Sequence, residues 1–207
     1  TPGTLPTNWS SALAGLTQTI VGTGTVDGVG YIDIRFNGTT TATQVSIRFD
    51  NPGSISAANG QTWSISYWVG VVGGSTSNIN AFYHASNLFD GGSGYLVDTF
   101  GGTFSPTSSF QRFSSIATIA TANTASIRPY IYFLASGVGV AIDITLRIGL
   151  PQLELGATAT SVIPTSGSQV TRLADVPVMT GENFSSWYGE ESRTNSIRNN
   201  TMQGAVA

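Results

Sequence analysis

Apolar and polar residues alternate one by one along at least seven stretches of this chain, and clusters of Gly, Asn, Pro or Ser separate the stretches. Alternation with period 2 is the signature of a strand with one buried and one exposed face. Residues 31–36 place Ile32, Ile34 and Phe36 on one face. Residues 44–50 set Val45, Ile47 and Phe49 against Ser46, Arg48 and Asp50, and residues 62–72 set Trp63, Ile65, Tyr67, Val69 and Val71 against Ser64, Ser66, Trp68 and Gly70. Stretches 79–84, 110–119, 126–134 and 141–148 follow, the last with Ile142, Ile144, Leu146 and Ile148 facing in and Asp143, Thr145 and Arg147 facing out. The punctuation includes Asn37-Gly38, Asn51-Pro52-Gly53, Asn59-Gly60, Gly73-Gly74 and Gly91-Gly92-Ser93-Gly94. These residues supply the backbone angles that a reversal requires. No 11-residue window keeps an i, i+3, i+4 apolar pattern.

Many short strands, each apolar on one face, predict an all-β, two-sheet antiparallel sandwich of the jelly-roll type. The alternation ends near residue 150. The compact domain is therefore expected at about 1–155, followed by an extended strap or linker over 156–193 and a polar segment over 194–207.

Charge and composition exclude several functions. The net charge is −3, and the eight basic residues, all Arg, are scattered singly. A phosphate-neutralising face and a polybasic membrane patch are both missing, so neither nucleic acid nor membrane insertion is expected. No run approaches the roughly 18 apolar residues of a membrane span, and the opening TPGTLPTNW lacks the parts of a signal peptide. With no Cys and a single His, thiolate zinc sites and multi-histidine metal sites are excluded.

Catalytic patterns are weak. All four Glu (Glu154, Glu182, Glu190, Glu191) fall at or beyond residue 154, and the Asp residues are scattered, mostly near strand ends or on polar faces. No pair stands out as the two carboxylates that glycoside hydrolysis needs. His84, the one candidate base, sits in Phe82-Tyr83-His84-Ala85 with no nucleophile elbow near it. Gly22-Thr23-Gly24 lacks the third glycine of a dinucleotide loop, and Asp90-Gly91-Gly92-Ser93-Gly94 lacks the alternating ligands of a calcium loop.

The 21 Phe, Trp and Tyr residues are more than one core can hold. Trp68 has the opposite parity to Trp63 and Tyr67, and Tyr130 and Tyr132 share the parity of Arg128, opposite Ile131 and Phe133. His84 shares the parity of Phe82, and Tyr95 borders a glycine-rich loop. Flat rings beside Arg, Asp and Asn suit a sugar-contact surface. The same rings would also suit packing under loops or in a subunit interface. The candidate contact residues are Trp68, His84, Tyr95, Arg128, Tyr130 and Tyr132.

Residues 148–175 contain Gln152-Leu153-Glu154-Leu155-Gly156, Ala159-Thr160-Ser161-Val162-Ile163-Pro164-Thr165 and Val170-Thr171-Arg172-Leu173-Ala174-Asp175. This resembles the Q-L-E-x-G-x-x-A-T-S-x-I-P-T…V-T-R-x-A-D motif that closes a jelly-roll domain in bacteriophage and prophage fibre and head-spike proteins. Residues 180–188 resemble the segment that follows it. The jelly roll of that family is similar to carbohydrate-binding modules with a galactose-binding-like fold. The resemblance implies a non-catalytic virion fibre or spike module at the virion surface. Its partners would be host-cell polysaccharide and other virion subunits, in a homo-oligomer. A purely structural fibre domain and a glycan-degrading spike are the alternatives.

Residues 193–203 resemble the opening strand of such modules, yet here they follow everything else. The segment 194–207 is thus expected to be a displaced first strand, folding back on its own domain ahead of crossing to a neighbour or serving the next module of an array. Related modules hold a structural calcium through an acidic residue after that strand's aromatic. Met202-Gln203 stands there instead, so no cofactor and no obligatory metal are expected, although a structural calcium stays open.

Overall fold

The computed structural model describes residues 3–174 and 189–207; the 180–188 segment singled out above lies outside the described residues. Among them there are twelve strands and no helix: β1 (Ser10–Ala12), β2 (Thr17–Val26), β3 (Val29–Thr39), β4 (Gln44–Arg48), β5 (Thr62–Gly74), β6 (Ile79–Phe89), β7 (Tyr95–Phe104), β8 (Gln111–Thr118), β9 (Ser126–Ala135), β10 (Ala141–Leu155), β11 (Val170–Arg172) and β12 (Arg193–Asn195). Two five-stranded antiparallel sheets, ordered β1-β4-β9-β6-β7 and β2-β3-β10-β5-β8, pack face to face as a jelly-roll sandwich. The alternating residues meet between them. Val45, Ile47 and Phe49 from one sheet oppose Ile32, Ile34, Phe36, Ile144 and Leu146 from the other, all buried. Edge-on rings such as Phe36 on Phe133, 5.7 Å between centroids, tie the layers together.

β10 changes face partway along. Gly149 pairs with Trp68, but Gln152, three residues on, pairs with Ser66, only two residues back. That one extra residue is a bulge, and Leu150 within it takes a positive φ of 42°. Beyond the bulge Leu153 faces the core, whereas Gln152 and Glu154 turn to the outer face. There they are fully buried, because residues 156–165 cross over them. Gln152 Oε1 accepts from the Ile163 amide at 2.7 Å and its Nε2 donates to the Ser161 carbonyl at 3.1 Å. Glu154 accepts from Gln152 Nε2, the Thr160 amide and the Thr160 hydroxyl at 2.7, 3.0 and 2.6 Å. The strap is irregular, and Ile163 anchors it in the interior. Gly156 starts it at a φ of 132°, a backbone conformation that strains any residue with a side chain, so this turn favours glycine.

The last described segment returns to its own domain. Only Arg193–Asn195 of it is a strand, and that strand pairs with β11 rather than extending either main sheet. The rest is held by side chains. Asn195, Asn199 and Asn200 are fully buried and spend their amides on backbone groups: Asn195 on Leu153 and Ile163, Asn200 on Ile163 and Thr165, Asn199 on Thr7 and Gln203. Ile197 and Met202 join the core, Trp9 Nε1 donates to the Asn199 carbonyl at 2.9 Å, and Thr4 and Val206 exchange backbone hydrogen bonds of 2.8 and 3.1 Å. A segment whose buried backbone is satisfied by amide side chains needs no ladder.

One ion pair locks this segment to the sandwich. Asp50, 0% exposed, accepts from Arg198 Nη2 at 2.6 Å, from the Arg198 amide at 3.1 Å and from the Asn51 amide at 2.7 Å. Removing one member of such a pair strands a buried charge. Arg198→Ala should therefore lower unfolding free energy by about 3 kcal/mol. Arg35→Ala, which breaks the exposed Arg35–Asp143 pair, should leave it almost unchanged. Urea denaturation of the two variants checks the contrast.

Candidate functional site

The outer face of the β1-β4-β9-β6-β7 sheet carries a cleft of about 470 Å³, while the enclosed space between the sheets is about 10 Å³, at most one water. Register brings the cleft together. Arg48 on β4 lies opposite Tyr130 on β9, which lies opposite Ala85 on β6. Two residues along, Arg128 lies opposite Asn87, which lies opposite Asp98 on β7. Phe89 and Tyr95 pair at the end of β6 and β7, and Tyr83 and Tyr132 pair on the other side.

The polar groups form a chain across the strands. Arg128 Nε and Nη2 donate to Asn87 Oδ1 at 3.0 and 2.6 Å, and Asn87 Nδ2 in turn donates to Asp98 Oδ1. The Arg128 guanidinium also lies 5.2 Å from the centre of the Phe89 ring. Burial, and next the nearby charge of Arg48, pull Arg128 down to about 10, so it stays a cation at neutral pH. Two donors on the floor are buried: Arg48 Nε and the Tyr130 hydroxyl, the latter facing Asp98 and Gln44. Burial, and then the charge of Asp98, raise the Tyr130 phenol well above its ordinary value, which keeps the hydroxyl protonated.

The rings are arranged as a wall and a post. Tyr83 and Tyr132 stack at 4.6 Å with planes 7° apart, and Tyr130 continues the row 5.8 Å from Tyr132. Tyr130 itself is only 1% exposed, so it forms the floor. Tyr95, 59% exposed, stands at the opposite end beside Asp98, its ring edge-on to Phe89 at 6.3 Å.

Four of the six candidate residues thus share one face: Tyr95, Arg128, Tyr130 and Tyr132. Two do not. Trp68 points outward as its parity predicts, but from the other sheet, beneath the Arg112 guanidinium 5.0 Å away. Arg112 reaches on to the strap, donating to the Thr160 carbonyl at 2.6 Å. Trp68 and the cleft are therefore on opposite sides of the molecule. His84 follows Phe82 into the core and is 3% exposed. The sequence reading missed Arg48, Asn87, Phe89, Asp98 and Tyr83. Arg48 was visible by parity opposite Ile47, but nothing in the sequence paired β4 with β9.

Asp98 is the only carboxylate lining this cleft, and among the described residues no three His, Cys, Asp or Glu side chains gather as a metal would require.

No family model matches the chain, and no curated protein matches it. Similar solved structures include the CBM22-1 xylan-binding domain from Paenibacillus barcinonensis Xyn10C, at 12% identity over 73% of this chain and 88% of that one, TM-score 0.44. The N-terminal cellulose-binding domain of Cellulomonas fimi β-1,4-glucanase C shows 17% identity over 77% of this chain and 97% of that one, TM-score 0.41. The enzymatically active domain of bacteriophage CBA120 tailspike protein 4 shows 12% identity over 72% of this chain and 19% of that one, TM-score 0.42.

Inside the sandwich, the Tyr67 hydroxyl lies 2.5 Å from His84 Nδ1. Burial raises the Tyr67 phenol, so the hydroxyl keeps its proton and donates it to a neutral imidazole. Burial likewise lowers His84 from 6.5 to about 4. As pH falls below 6.5 the unfolded chain takes up a proton that the folded one refuses until about 4. The stability present above pH 6.5 is therefore lost across that window. Between about pH 7 and about pH 4.5 the loss attributable to His84 should be roughly 2 kcal/mol. His84→Gln should flatten the stability profile by that amount, read from urea unfolding at the two pH values.

Proposed function

We propose that this chain is a non-catalytic glycan-binding module whose cleft, floored by Tyr130 and flanked by Tyr95, takes surface polysaccharide. The observation that carries the reading is an exposed ring beside charged and amide groups in one cleft. A pyranose offers an apolar face for Tyr95 and hydroxyls for Arg48, Asn87, Asp98 and Arg128, which line the cleft with it. Asp98 as the single acid of the cleft supports a binding role over hydrolysis, which uses two carboxylates.

We further propose a virion fibre or spike at the virion surface as its setting, with host-cell polysaccharide and neighbouring subunits as partners. The support is the residue match of the closing motif. Its Gln152 and Glu154 clasp the strap, so the match falls on residues with a definite task.

A glycan array probed with the purified chain tests the reading. Retention on at least one polysaccharide is expected, and no retention on any glycan overturns it. Tyr95→Ala should weaken binding about tenfold, the worth of one aromatic contact, with the melting temperature nearly unchanged because the ring is exposed. Trp68→Ala, on the far side of the molecule, should leave binding intact.

A further inference from the structure

We propose, resting on the glycan reading above, that the occupant of the cleft is an acidic polysaccharide, with a sugar carboxylate docked between Arg48 and Arg128. The chain as a whole is acidic, at −3, yet this cleft holds two arginines against one aspartate. Of the eight arginines, five are matched to carboxylates: Arg35 to Asp143, Arg147 to Asp33, Arg172 to Glu190, Arg193 to Glu191 and Arg198 to Asp50. Arg112 is spent on Ser66, the strap and Trp68. Arg48 and Arg128 remain, and among the described residues neither reaches a carboxylate. The acceptor that holds Arg128 is the neutral carbonyl oxygen of Asn87.

Position makes the pair a site. Arg48 and Arg128 stand diagonally on adjacent strands of one face, so their backbones are about 8 Å apart. A carboxylate can bridge two guanidiniums at that spacing, each offering parallel N–H donors to its planar oxygens. Asp98 forms no ion pair with either arginine. It sits on β7, three strands from Arg48 and two from Arg128, and although its charge acts on Arg128 its side chain is held by Asn87. The face is thus graded, cationic at β4 and β9 and anionic at β7. Tyr130, 1% exposed, lies between the two ends with its hydroxyl facing Asp98 and Gln44. A neutral sugar would leave two partly desolvated cations facing each other, whereas an acidic one supplies their counter-ion.

The test uses immobilised polygalacturonate, alginate and hyaluronan, each beside its carboxyl-reduced product, together with neutral xylan, β-glucan and galactan. At least one acidic polymer should retain the chain, and its reduced product should bind about tenfold more weakly or not at all. Binding should fall steeply between about 20 mM and about 200 mM salt. Arg48→Gln should reproduce the loss seen on carboxyl reduction while keeping the melting temperature; the reduction experiment needs no variant and stands if that protein folds poorly. Equal binding to a polymer and its reduced product, or retention on neutral polymers alone, overturns the acidic ligand and leaves the glycan reading in place. Retention on none of the polymers, acidic or neutral, removes the glycan reading and this one with it.

Discussion

The bulge between Gly149 and Gln152 is the hinge on which the C-terminal third depends. Without the extra residue, β10 would continue in phase, and Gln152 and Glu154 would follow Ile148 into an apolar core that has no partners for them. With it they turn outward and meet backbone groups of the strap. A carboxylate with three donors and an amide used at both ends are each satisfied only when the strap lies across them. The strap then holds Ile163, whose carbonyl takes hydrogen bonds from Asn195 and Asn200, and so the tail is seated in turn. A buried polar network of this kind is favourable complete and costly in part, which couples the strap and tail to a single closed state.

That closure also decides which surface is left for a ligand. The outer face of the β2-β3-β10-β5-β8 sheet is occupied twice over. The strap covers Ser64, Ser66, Gln152 and Glu154, and β3 and β10 are laced by Arg35–Asp143 and Arg147–Asp33, with Arg147 packed 3.7 Å from the centre of the Tyr31 ring. Among the described residues no strap crosses the opposite outer face. Its polar residues bond to one another across the strands, and its tyrosines stack along them.

Alternation along single strands was enough to predict the sandwich, its core residues and the outward direction of Arg128, Tyr130 and Tyr132. Parity says which side of a strand a residue takes; it does not say which sheet the strand joins. Trp68 and Tyr130 are both outward, but from different layers, and outward from different layers means opposite sides of the molecule. His84 was correctly in phase with Phe82, and that phase led inward, where Tyr67 from the facing sheet receives it. Arg48, Asn87 and Asp98 became a site only through the order β4-β9-β6-β7, a long-range pairing with no local signature. The tail shows the same limit. Its likeness to an opening strand was readable, whereas the burial of its three asparagines was not, because their partners are backbone groups distant in sequence.

The exchange of hydrogen bonds between Thr4 and Val206 has a mechanical meaning. Thr4 and Val206 lie side by side, so tension applied across these two residues loads their own bridge before it loads either sheet. The first links to open under pull are those of Thr4, Val206, Thr7 and Gln203 at the rim. The tyrosine row and the arginine pair lie on strands outside that path, so this corner can yield to a pull while the outer face keeps its shape.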